Sequence, residues 1–461
     1  MNMQRIEQII ADKITNGQPI TPAEAEQFVI DVPPRTESTI FRGDNGLKRS
    51  QAFLDLLGNP QNTIPAIHIA GTSGKGSVAQ LTTNLLLAHG FHTGTYSSPH
   101  VYTLSERWLL DGQQKPGLLP EVIPRIHKAI EDMSTSSWGP PTYFEITTSI
   151  GFLLFENRAD YMVIETGMGG LYDTTNTINR QDKLAIISEL GLDHTHILGD
   201  TLAEIAAQKA GILPHGGHAI ILEPSDASAL DTIAAVAHER GTTLHFVRPD
   251  TYKVLNVTLD GTSFEYYGAH IELTNAHTSM VGAHQVKNIA LALRALEFLS
   301  ERDGFALNES AIRETLQHTQ LPGRFERRTV DGKQFIFDGA HNPQKLGALA
   351  EVLQAALPGK TFTWVMAFGK NKDVLASLIL LAPLIDTLYV TSFFANQDMP
   401  LSSKAMALDE LADMAHQAGI KSVILEPDNQ KALSLAATTA NEQPIIAAGS
   451  FYFLGDVAKK L

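Results

Sequence analysis

The sequence predicts an α/β fold of two domains, and three observations support this. Short apolar runs alternate with longer helical patterns from Ile64 onward, and a second such series follows a turn near Leu321. Runs that are apolar on both faces are typical of parallel sheets covered by helices on both sides. The 461 residues also exceed the length at which one hydrophobic core usually stops growing. We therefore expect a doubly wound, mostly parallel sheet followed by a smaller α/β domain.

The first domain should begin with an amphipathic helix in "MNMQRIEQIIADKITNG". Its predicted strands are "IPAIHIA", the segment from His92 to Tyr96, "YMVIETG", "LAIISELG" and "HAIILEP". Its predicted helices run from Val78 to His89, along "EITTSIGFLLFEN" and after Thr201. Alternating polarity on both sides of the turn in "TLDGTS" predicts a small antiparallel insertion, which the helix "HQVKNIALALRALEFLSERDG" follows.

The second domain should begin after the turn "LPGR". Five further apolar runs follow, each separated by a helical pattern: "KQFIFDG", "TFTWVMAFG", "DTLYVTSF", "KSVILEP" and "PIIAAGS". This is again the pattern of parallel α/β structure, at the size of one domain. We place the boundary near Thr319, which divides the chain into residues 1–318 and 319–461.

Composition narrows the classes of function. The formal net charge is −15 and we find no basic cluster, which argues against nucleic acid as a partner. There are no cysteines, which excludes disulfides and thiolate chemistry and is typical of a reducing compartment. The first residues lack a signal-peptide pattern, and no apolar run reaches membrane length. We expect a cytoplasmic protein that acts on neither nucleic acid nor membranes.

The segment "AIHIAGTSGKGSVAQLTTNLL" joins a buried strand to a helix through small residues. Gly71, Gly74 and Gly76 would let backbone amides approach a phosphate, and the helix start adds unpaired N–H groups. Lys75 would place a positive charge beside the β- and γ-phosphates of a nucleotide, and Ser77 would supply a hydroxyl. A tight turn capped by Ser77 is the structural alternative. The lysine, with a strand before it and a helix after it, favours a nucleotide.

Polar side chains follow three other predicted strands, where ligands of an open α/β sheet gather. Ser98 stands in "YSSPH", Glu165 in "VIETGMGG", and Asp193 and His194 in "GLDHTHILGDT". Hard oxygen ligands with one imidazole suit Mg²⁺ or Mn²⁺ bound to the phosphates of ATP. Each residue alone has an ordinary structural interpretation, and their recurrence at strand ends beside the glycine loop favours a metal site. Lys209 lies near the end of a predicted helix. Judged by its residue type alone, its positive charge would complement the helix dipole.

These motifs resemble the folylpolyglutamate synthase/dihydrofolate synthase family of the Mur ligase superfamily, from about Gly46 to the end of the sequence. The matching stretches are "GLKRSQAFLDLLGNPQ", "IHIAGTSGKGS", "TGTYSSPH", "TYFEITTSIGFLLF", "VIETGMGGLYDTTN", "GLDHTHILGDT", "IAAQKAGI", "GAHQVKN", "LPGRFE", "DGAHNP" and "AAGSFYFLGDV". The resemblance implies two domains. The N-terminal one is a P-loop ATPase domain that corresponds to the central domain of Mur ligases, and the smaller C-terminal one is Rossmann-like. The resemblance also implies that the reaction takes place in the cleft between them.

The resemblance implies a role for each matching residue. The phosphates of ATP would be bound by the loop Gly71, Thr72, Ser73, Gly74, Lys75, Gly76 and Ser77. The nucleotide would also be contacted by Asn288, Arg324 and Asp338, and His341 of "DGAHNP" would join Lys75 and Lys209 as a catalytic residue. Mg²⁺, at one or two sites, would be held by Ser98, Glu165, His194 and a carbamylated Lys209. The pterin site would be lined by Phe144, Glu145 and Asp173.

The sequence also departs from the usual family pattern. Ser73 stands where asparagine is usual, and both side chains can donate a hydrogen bond. Leu171 and Tyr172 stand in "GGLYDTTN" where "GGRLDATN" is usual, which removes an arginine beside the expected pterin region. The segment "FGKNKDV" is shorter than its usual counterpart. These differences bear on the choice of acceptor and on contacts of the second domain, not on phosphate binding.

The resemblance implies an ATP-dependent ligase. It would join the carboxylate of a pteroate or folate to the amine of L-glutamate through an acyl phosphate, and it would act as a monomer. A Mur-type ligase with a different acceptor is one alternative, and a non-catalytic, nucleotide-binding regulatory protein is another. The sequence leaves open whether the product is dihydrofolate, an extended glutamate tail or both.

Overall fold

The computed structural model describes residues 3–31, 43–330, 332–370, 372–394, 405–440 and 442–458. Its strands form sheets of eight, three and six strands in these ranges. The eight-stranded sheet belongs to the first half of the chain and the six-stranded sheet to the last third. The two-domain α/β prediction is therefore confirmed at the level of fold class.

The eight-stranded sheet has the order β4-β3-β2-β5-β1-β6-β7-β8. Its strands are β1 Ala66–Ala70, β2 Thr93–Tyr96, β3 Trp108–Leu110, β4 Gln113–Gln114, β5 Tyr161–Glu165, β6 Leu184–Ile187, β7 His218–Leu222 and β8 Thr243–Val247. Every pair from β2 through β8 is parallel, as predicted. The edge strands β3 and β4 are antiparallel. Strands of three and two residues are too short to produce a periodic signal, which is why the sequence did not predict them.

Helices cover both faces of this sheet. Up to residue 318 the described helices are Met3–Thr15, Pro22–Ile30, Gly43–Leu56, Lys75–Ala88, Leu119–Ser134, Tyr143–Phe155, Thr195–Leu198, Leu202–Ala210, Ala227–Arg240, Ala283–Asp303 and Glu309–His318. All five side chains of β1 are buried, because Ile67 and Ile69 pack into one hydrophobic cluster and Ala66 into another. Burial on both faces explains the unbroken apolar run that predicted this strand.

The predicted antiparallel insertion is confirmed. Strands β9 Tyr252–Thr258, β10 Gly261–Tyr267 and β11 Glu272–Thr278 form a three-stranded sheet in the order β11-β10-β9. Phe264 and Tyr266 on β10 are fully buried and join the core that the long helix Ala283–Asp303 completes. From Thr262 onward, buried residues alternate with more exposed ones along β10, which matches its alternating sequence pattern.

The six-stranded sheet has the order β12-β13-β17-β14-β15-β16. Its strands are β12 Glu326–Val330, β13 Lys333–Asp338, β14 Phe362–Met366, β15 Ile385–Val390, β16 Val423–Leu425 and β17 Ile445–Ala448. Its helices are Pro343–Ala356, Val374–Leu381, Leu408–Gln417, Asn429–Thr439 and Phe451–Ala458. The five predicted strands run parallel. The unpredicted β12 is an antiparallel edge strand with charged residues.

The expected domain boundary near Thr319 lies between two elements with different partners. The helix Glu309–His318 buries Ile312 and Leu316 in the core of the first domain. Strand β12 begins at Glu326 and belongs to the six-stranded sheet. The turn "LPGR" therefore connects the two α/β units.

Candidate active site

A cavity of about 800 Å³ is lined by residues of both α/β units. Its walls include residues at or just after the carboxyl ends of parallel strands: Gly71 after β1, Ser98 after β2, Glu165 on β5, Asp338 on β13 and Gly449 after β17. The carboxyl edge is where open α/β sheets place their ligand sites. The two sheets therefore present their functional edges to one shared cavity.

The glycine loop lies in this cavity between β1 and the helix that begins at Lys75. The first intrahelical bond runs from Val78 N to Gly74 O at 2.9 Å, so the amides of the preceding turn have no partner within the helix. Lys75 Nζ donates to Gly71 O at 3.2 Å and lies 4.0 Å from Glu165 Oε1. Amide donors and one lysine at a helix start form the arrangement that binds phosphate.

Residues distant in sequence pack directly on the loop. Gly74 has a φ of +87°, and a side chain at this position would overlap the amide oxygen of Asn288. A Cβ at Gly76 would lie 2.7 Å from Arg324 Nη2 and 3.4 Å from Glu165 Oε2. The structure thus brings Asn288 and Arg324 against the loop. At Gly74 the positive φ adds a second requirement for glycine, because L side chains rarely adopt this backbone conformation.

The four candidate metal ligands line the same cavity: Ser98, Glu165, His194 and Lys209. Glu165 Oε2 accepts a hydrogen bond from Ser98 N at 3.3 Å. Lys209 Nζ instead donates to Gly71 O at 2.9 Å. Within the described ranges, no three His, Asp or Glu side chains are grouped as a metal cage. Proteins commonly bind Mg²⁺ through one or two carboxylates, while nucleotide phosphates and water supply the other ligands.

Burial controls the charges of these groups. Desolvation raises the pKa of Glu165 despite the opposing charges of Lys75 and Arg324. A buried carboxylate of this kind gains from a cation beside it. Desolvation, assisted by the charge of Lys75, lowers the pKa of Lys209 to about 7. A substantial fraction of the Lys209 amine is therefore neutral at neutral pH.

The second domain contributes Asp338, Arg324 and His341. Asp338 accepts from Phe325 N and from Ala340 N, both at 2.8 Å, and so connects two segments of the second domain that line the cavity. The Arg324 guanidinium lies 5.0 Å from the ring centre of Phe451. These contacts hold Arg324 where it faces the phosphate loop.

His341 has a defined hydrogen-bonding state. Its Nδ1 lies 2.7 Å from Gly339 O, and a carbonyl oxygen can only accept, so Nδ1 carries the proton. Nε2 is then an acceptor for Lys345 Nζ at 3.3 Å. Desolvation and the charge of Lys345 hold the pKa of His341 well below its usual value. His341 is therefore a neutral imidazole with a lone pair on Nε2.

Asp193 connects the two domains through contacts that the sequence did not predict. Lys372 Nζ lies 3.0 Å from Asp193 Oδ1, and Lys345 Nζ lies 3.6 Å from Oδ2. Asn342 Nδ2 also donates to Oδ2 at 3.1 Å. Burial alone would raise the pKa of Asp193, but the two lysines hold it well below the usual range. Lys345 lies in the first turn of the helix Pro343–Ala356, directly after the "DGAHNP" motif, which was the available sequence signal.

On the acceptor side, Phe144 and Asp173 line the cavity together with Tyr172. Glu145, the third residue expected at the pterin site, is not among the residues that line the cavity. Its carboxylate is 2% exposed and accepts from Arg49 Nε at 2.9 Å and from Thr142 N at 2.6 Å. It caps the helix Tyr143–Phe155 and pairs with a buried arginine, so it does not line the cavity.

Comparisons with known proteins agree with this geometry. The Mur ligase middle domain model matches residues 69–296, and the model of the dihydrofolate synthetase C-terminal domain matches residues 323–460. A dihydrofolate synthase/folylpolyglutamate synthase of Mycobacterium tuberculosis is 32% identical over 397 residues, covering 80% of this chain and 78% of the relative. The chain belongs to the folylpolyglutamate synthase/dihydrofolate synthase family. Its members are ATP-dependent ligases of the Mur type.

Two further family members resemble the chain over most of its length. A dihydrofolate synthase/folylpolyglutamate synthase of Bacillus subtilis is 29% identical over 425 residues, covering 90% of this chain and 95% of the relative. The solved folylpolyglutamate synthase of Mycobacterium tuberculosis complexed with ADP aligns with a TM-score of 0.81 at 27% identity. That alignment covers 95% of this chain and 97% of the other. Both α/β units of this chain therefore have counterparts in the family.

The three departures from the family pattern have different positions. Ser73 Oγ donates to Gln344 Oε1 of the second domain at 3.3 Å. Tyr172 lines the cavity, whereas Leu171 packs against Gly211 and does not. In "FGKNKDV", residue 371 lies outside the described residues. Of Leu171 and Tyr172, Tyr172 is therefore the one that reaches the cavity. Among the helices that the structure describes, none has the length and apolar character needed to cross a membrane.

Proposed function

We propose that this chain uses ATP to join the carboxylate of a pteroate or folate to the amine of L-glutamate. One observation carries the proposal: a single cavity holds the phosphate loop on one side and Phe144, Tyr172 and Asp173 on another. A γ-phosphate on the loop and a carboxylate of an aromatic acceptor can therefore meet in one enclosed space. The names and the ADP complex of the relatives support the same conclusion.

The proposed reaction has two steps. An acceptor carboxylate oxygen attacks the γ-phosphorus of ATP, the bond from phosphorus to the ADP oxygen breaks, and an acyl phosphate forms. The glutamate amine then attacks the acyl carbon, inorganic phosphate leaves and the nitrogen loses a proton. Lys75 and the amides of the glycine loop would stabilise charge on the transferring phosphoryl group. Arg324 from the second domain would help to exclude water, which would otherwise hydrolyse the acyl phosphate.

We infer that the site takes Mg²⁺ with the nucleotide, held by Ser98, Glu165 and His194. Glu165, a desolvated carboxylate beside the phosphate loop, is the observation that favours a cation there. When bound, Mg²⁺ would neutralise phosphate charge and orient the phosphate chain. The partly neutral amine of Lys209 is the form that reacts with carbon dioxide, so a carbamate at Lys209 would add an anionic oxygen ligand.

For the acceptor, we propose that Phe144 and Tyr172 stack on the heterocycle, while the Asp173 carboxylate accepts hydrogen bonds from its N–H groups. His341, with the lone pair on Nε2, remains our candidate for a third catalytic residue, beside Lys75 and Lys209. Asn288 and Asp338 would complete the nucleotide site. The monomeric state and the cytoplasmic location stay predictions.

The test is ADP release from purified protein with Mg-ATP and L-glutamate, with dihydropteroate or a reduced monoglutamyl folate added in parallel. Stimulation by dihydropteroate would support dihydrofolate synthesis, and stimulation by the folate would support tail extension. Silence with both acceptors, in protein that binds ATP, would withdraw the folate assignment and favour a Mur-type ligase with a different acceptor. ADP release independent of any amino acid would instead favour a regulatory nucleotide-binding protein.

A further inference from the structure

A buried histidine that the proposed reaction does not use is linked to the acceptor side of the cavity. His68 lies on β1, three residues before the phosphate loop begins at Gly71, and its side chain is fully buried. Its Nε2 lies 2.8 Å from Thr175 Oγ1. Thr175 Oγ1 in turn donates to Asp173 Oδ1 at 2.5 Å. The three side chains form a continuous chain from the core to Asp173, which lines the cavity.

The direction of this chain is fixed by proton counting. The Thr175 hydroxyl has one hydrogen, and it gives that hydrogen to the Asp173 carboxylate. It must therefore accept from His68, so Nε2 of His68 carries the proton. Nδ1 of His68 is then the unprotonated nitrogen, and it has no hydrogen-bond partner among the described residues. Both hydrogen bonds, from His68 to Thr175 and from Thr175 to Asp173, therefore point from the core toward Asp173.

These two hydrogen bonds limit the orientation of the Asp173 carboxylate. Thr175 N also donates to Asp173 Oδ1 at 3.0 Å, and Met168 N donates to Oδ2 at 2.8 Å. The His68 donor prevents the Thr175 hydroxyl from turning its hydrogen toward β1. Hydrogen bonds in series also polarise one another in a buried environment. The carboxylate plane of Asp173 is thereby set by a donor on the strand that leads into the phosphate loop.

We propose that His68 and Thr175 are positioning residues that orient Asp173 for binding the acceptor heterocycle. The proposal rests on the proposed function, because it assigns the ligand of Asp173. It also implies that β1 serves both substrates: its end carries the phosphate loop, and its central side chain supports the acceptor wall.

Two pairs of variants test the hydrogen bonds that run from His68 through Thr175 to Asp173. Thr175→Val keeps the side-chain shape and removes the hydroxyl, whereas Thr175→Ser keeps the hydroxyl. His68→Met removes the donor, whereas His68→Gln keeps an N–H of similar reach. Thr278→Val is the matched control: Thr278 is also fully buried and makes two hydrogen bonds through its hydroxyl, to Leu316 O at 2.9 Å and from Met280 N at 3.2 Å. It lies in the three-stranded sheet, outside the cavity lining.

We expect Thr175→Val to raise the KM for the acceptor about tenfold or more, with the KM for ATP and the kcat changed less than about twofold. His68→Met should raise the acceptor KM several-fold, while Thr175→Ser and His68→Gln stay close to the unsubstituted protein. Thr278→Val should lower thermal stability without changing any KM. If the Thr175→Val and Thr278→Val variants have the same KM for the acceptor, Thr175 has only a structural role and the proposal is overturned.

A second measurement separates this inference from the proposed function. The imidazole nitrogens of His68 can be observed by ¹⁵N NMR of histidine-labelled protein, with His68→Gln used to assign the signals. The hydrogen bonds from His68 to Asp173 require a proton on Nε2 of His68. A proton on Nδ1 would overturn the proposal, whatever the activity of the protein. Failure of the unsubstituted protein to release ADP with either acceptor would overturn the proposed function, and with it the ligand assigned to Asp173, even with the expected tautomer.

Discussion

Replacing Glu145 by glutamine should destabilise the first domain without changing acceptor affinity. The Glu145 carboxylate accepts from Arg49 Nε and Ser50 Oγ at one oxygen, both at 2.9 Å. Its other oxygen accepts from Thr142 N at 2.6 Å and Thr142 Oγ1 at 2.8 Å. Glu145→Gln keeps the shape but leaves Arg49, which is 5% exposed, without its counter-charge.

The size of the effect follows from burial. Removing one partner of a buried ion pair typically costs 3 to 5 kcal/mol, because an uncompensated charge remains. Glutamine retains one acceptor oxygen, so we expect the lower end, about 3 kcal/mol. Unfolding of a domain that spans residues 1–318 has an entropy of about 0.7 kcal/mol/K, so that loss lowers the melting temperature by about 4 to 5 °C.

Differential scanning calorimetry would measure the loss of stability, and ADP release at 25 °C would measure the acceptor KM. Glu204→Gln is the control, because Glu204 makes the same capping contacts with Thr201 but is exposed and has no arginine partner among the described residues. The control should lose much less stability. An increased acceptor KM in Glu145→Gln with an unchanged melting temperature would refute the reasoning and return Glu145 to the substrate site.

Three further predictions concern the cavity. Lys75→Ala should reduce turnover by about 10²-fold or more with an unchanged melting temperature, because a charge at the transferring phosphoryl group is lost; unchanged turnover would remove the loop from the mechanism. Lys209→Ala should be partly rescued by short-chain carboxylates that replace the carbamate, and full activity without them would exclude a metal-binding role. Tyr102→Phe removes a hydrogen bond to Glu326 of the second domain but keeps the aromatic ring against Arg328. This variant should increase glutamate-independent phosphate release. An unchanged ratio of phosphate to amide product would contradict a role of the Tyr102 hydrogen bond in closing the cleft.

The strands and the phosphate loop were predictable because their signals are local. The apolar run of β1, the glycines and Lys75 occupy consecutive positions, so their relation in space follows from the chain itself. The antiparallel insertion is another local signal, a turn between two alternating segments. By contrast, Asn288 and Arg324 were assigned through resemblance alone, because no local pattern shows that they pack on the loop.

Contacts between distant segments were not predictable. Asp193, Lys345 and Lys372 come from three separate segments, and only the fold brings their charges together. The capping role of Glu145 was predictable from the sequence, because "TYFE" has the threonine and glutamate spacing of a capping box, as the segments beginning at Thr21 and Thr201 also do. The chain from His68 to Asp173 joins β1 to a turn more than a hundred residues later, so it was found only in the structure.

The acyl phosphate is the central claim, and oxygen transfer tests it most directly. The acceptor carboxylate is labelled with ¹⁸O, and the inorganic phosphate released with Mg-ATP and L-glutamate is analysed by mass spectrometry. If the carboxylate attacks the γ-phosphorus, one labelled oxygen is retained in each phosphate when the amine displaces it. Amide formation with unlabelled phosphate would show that the carboxylate was never phosphorylated and would contradict the account.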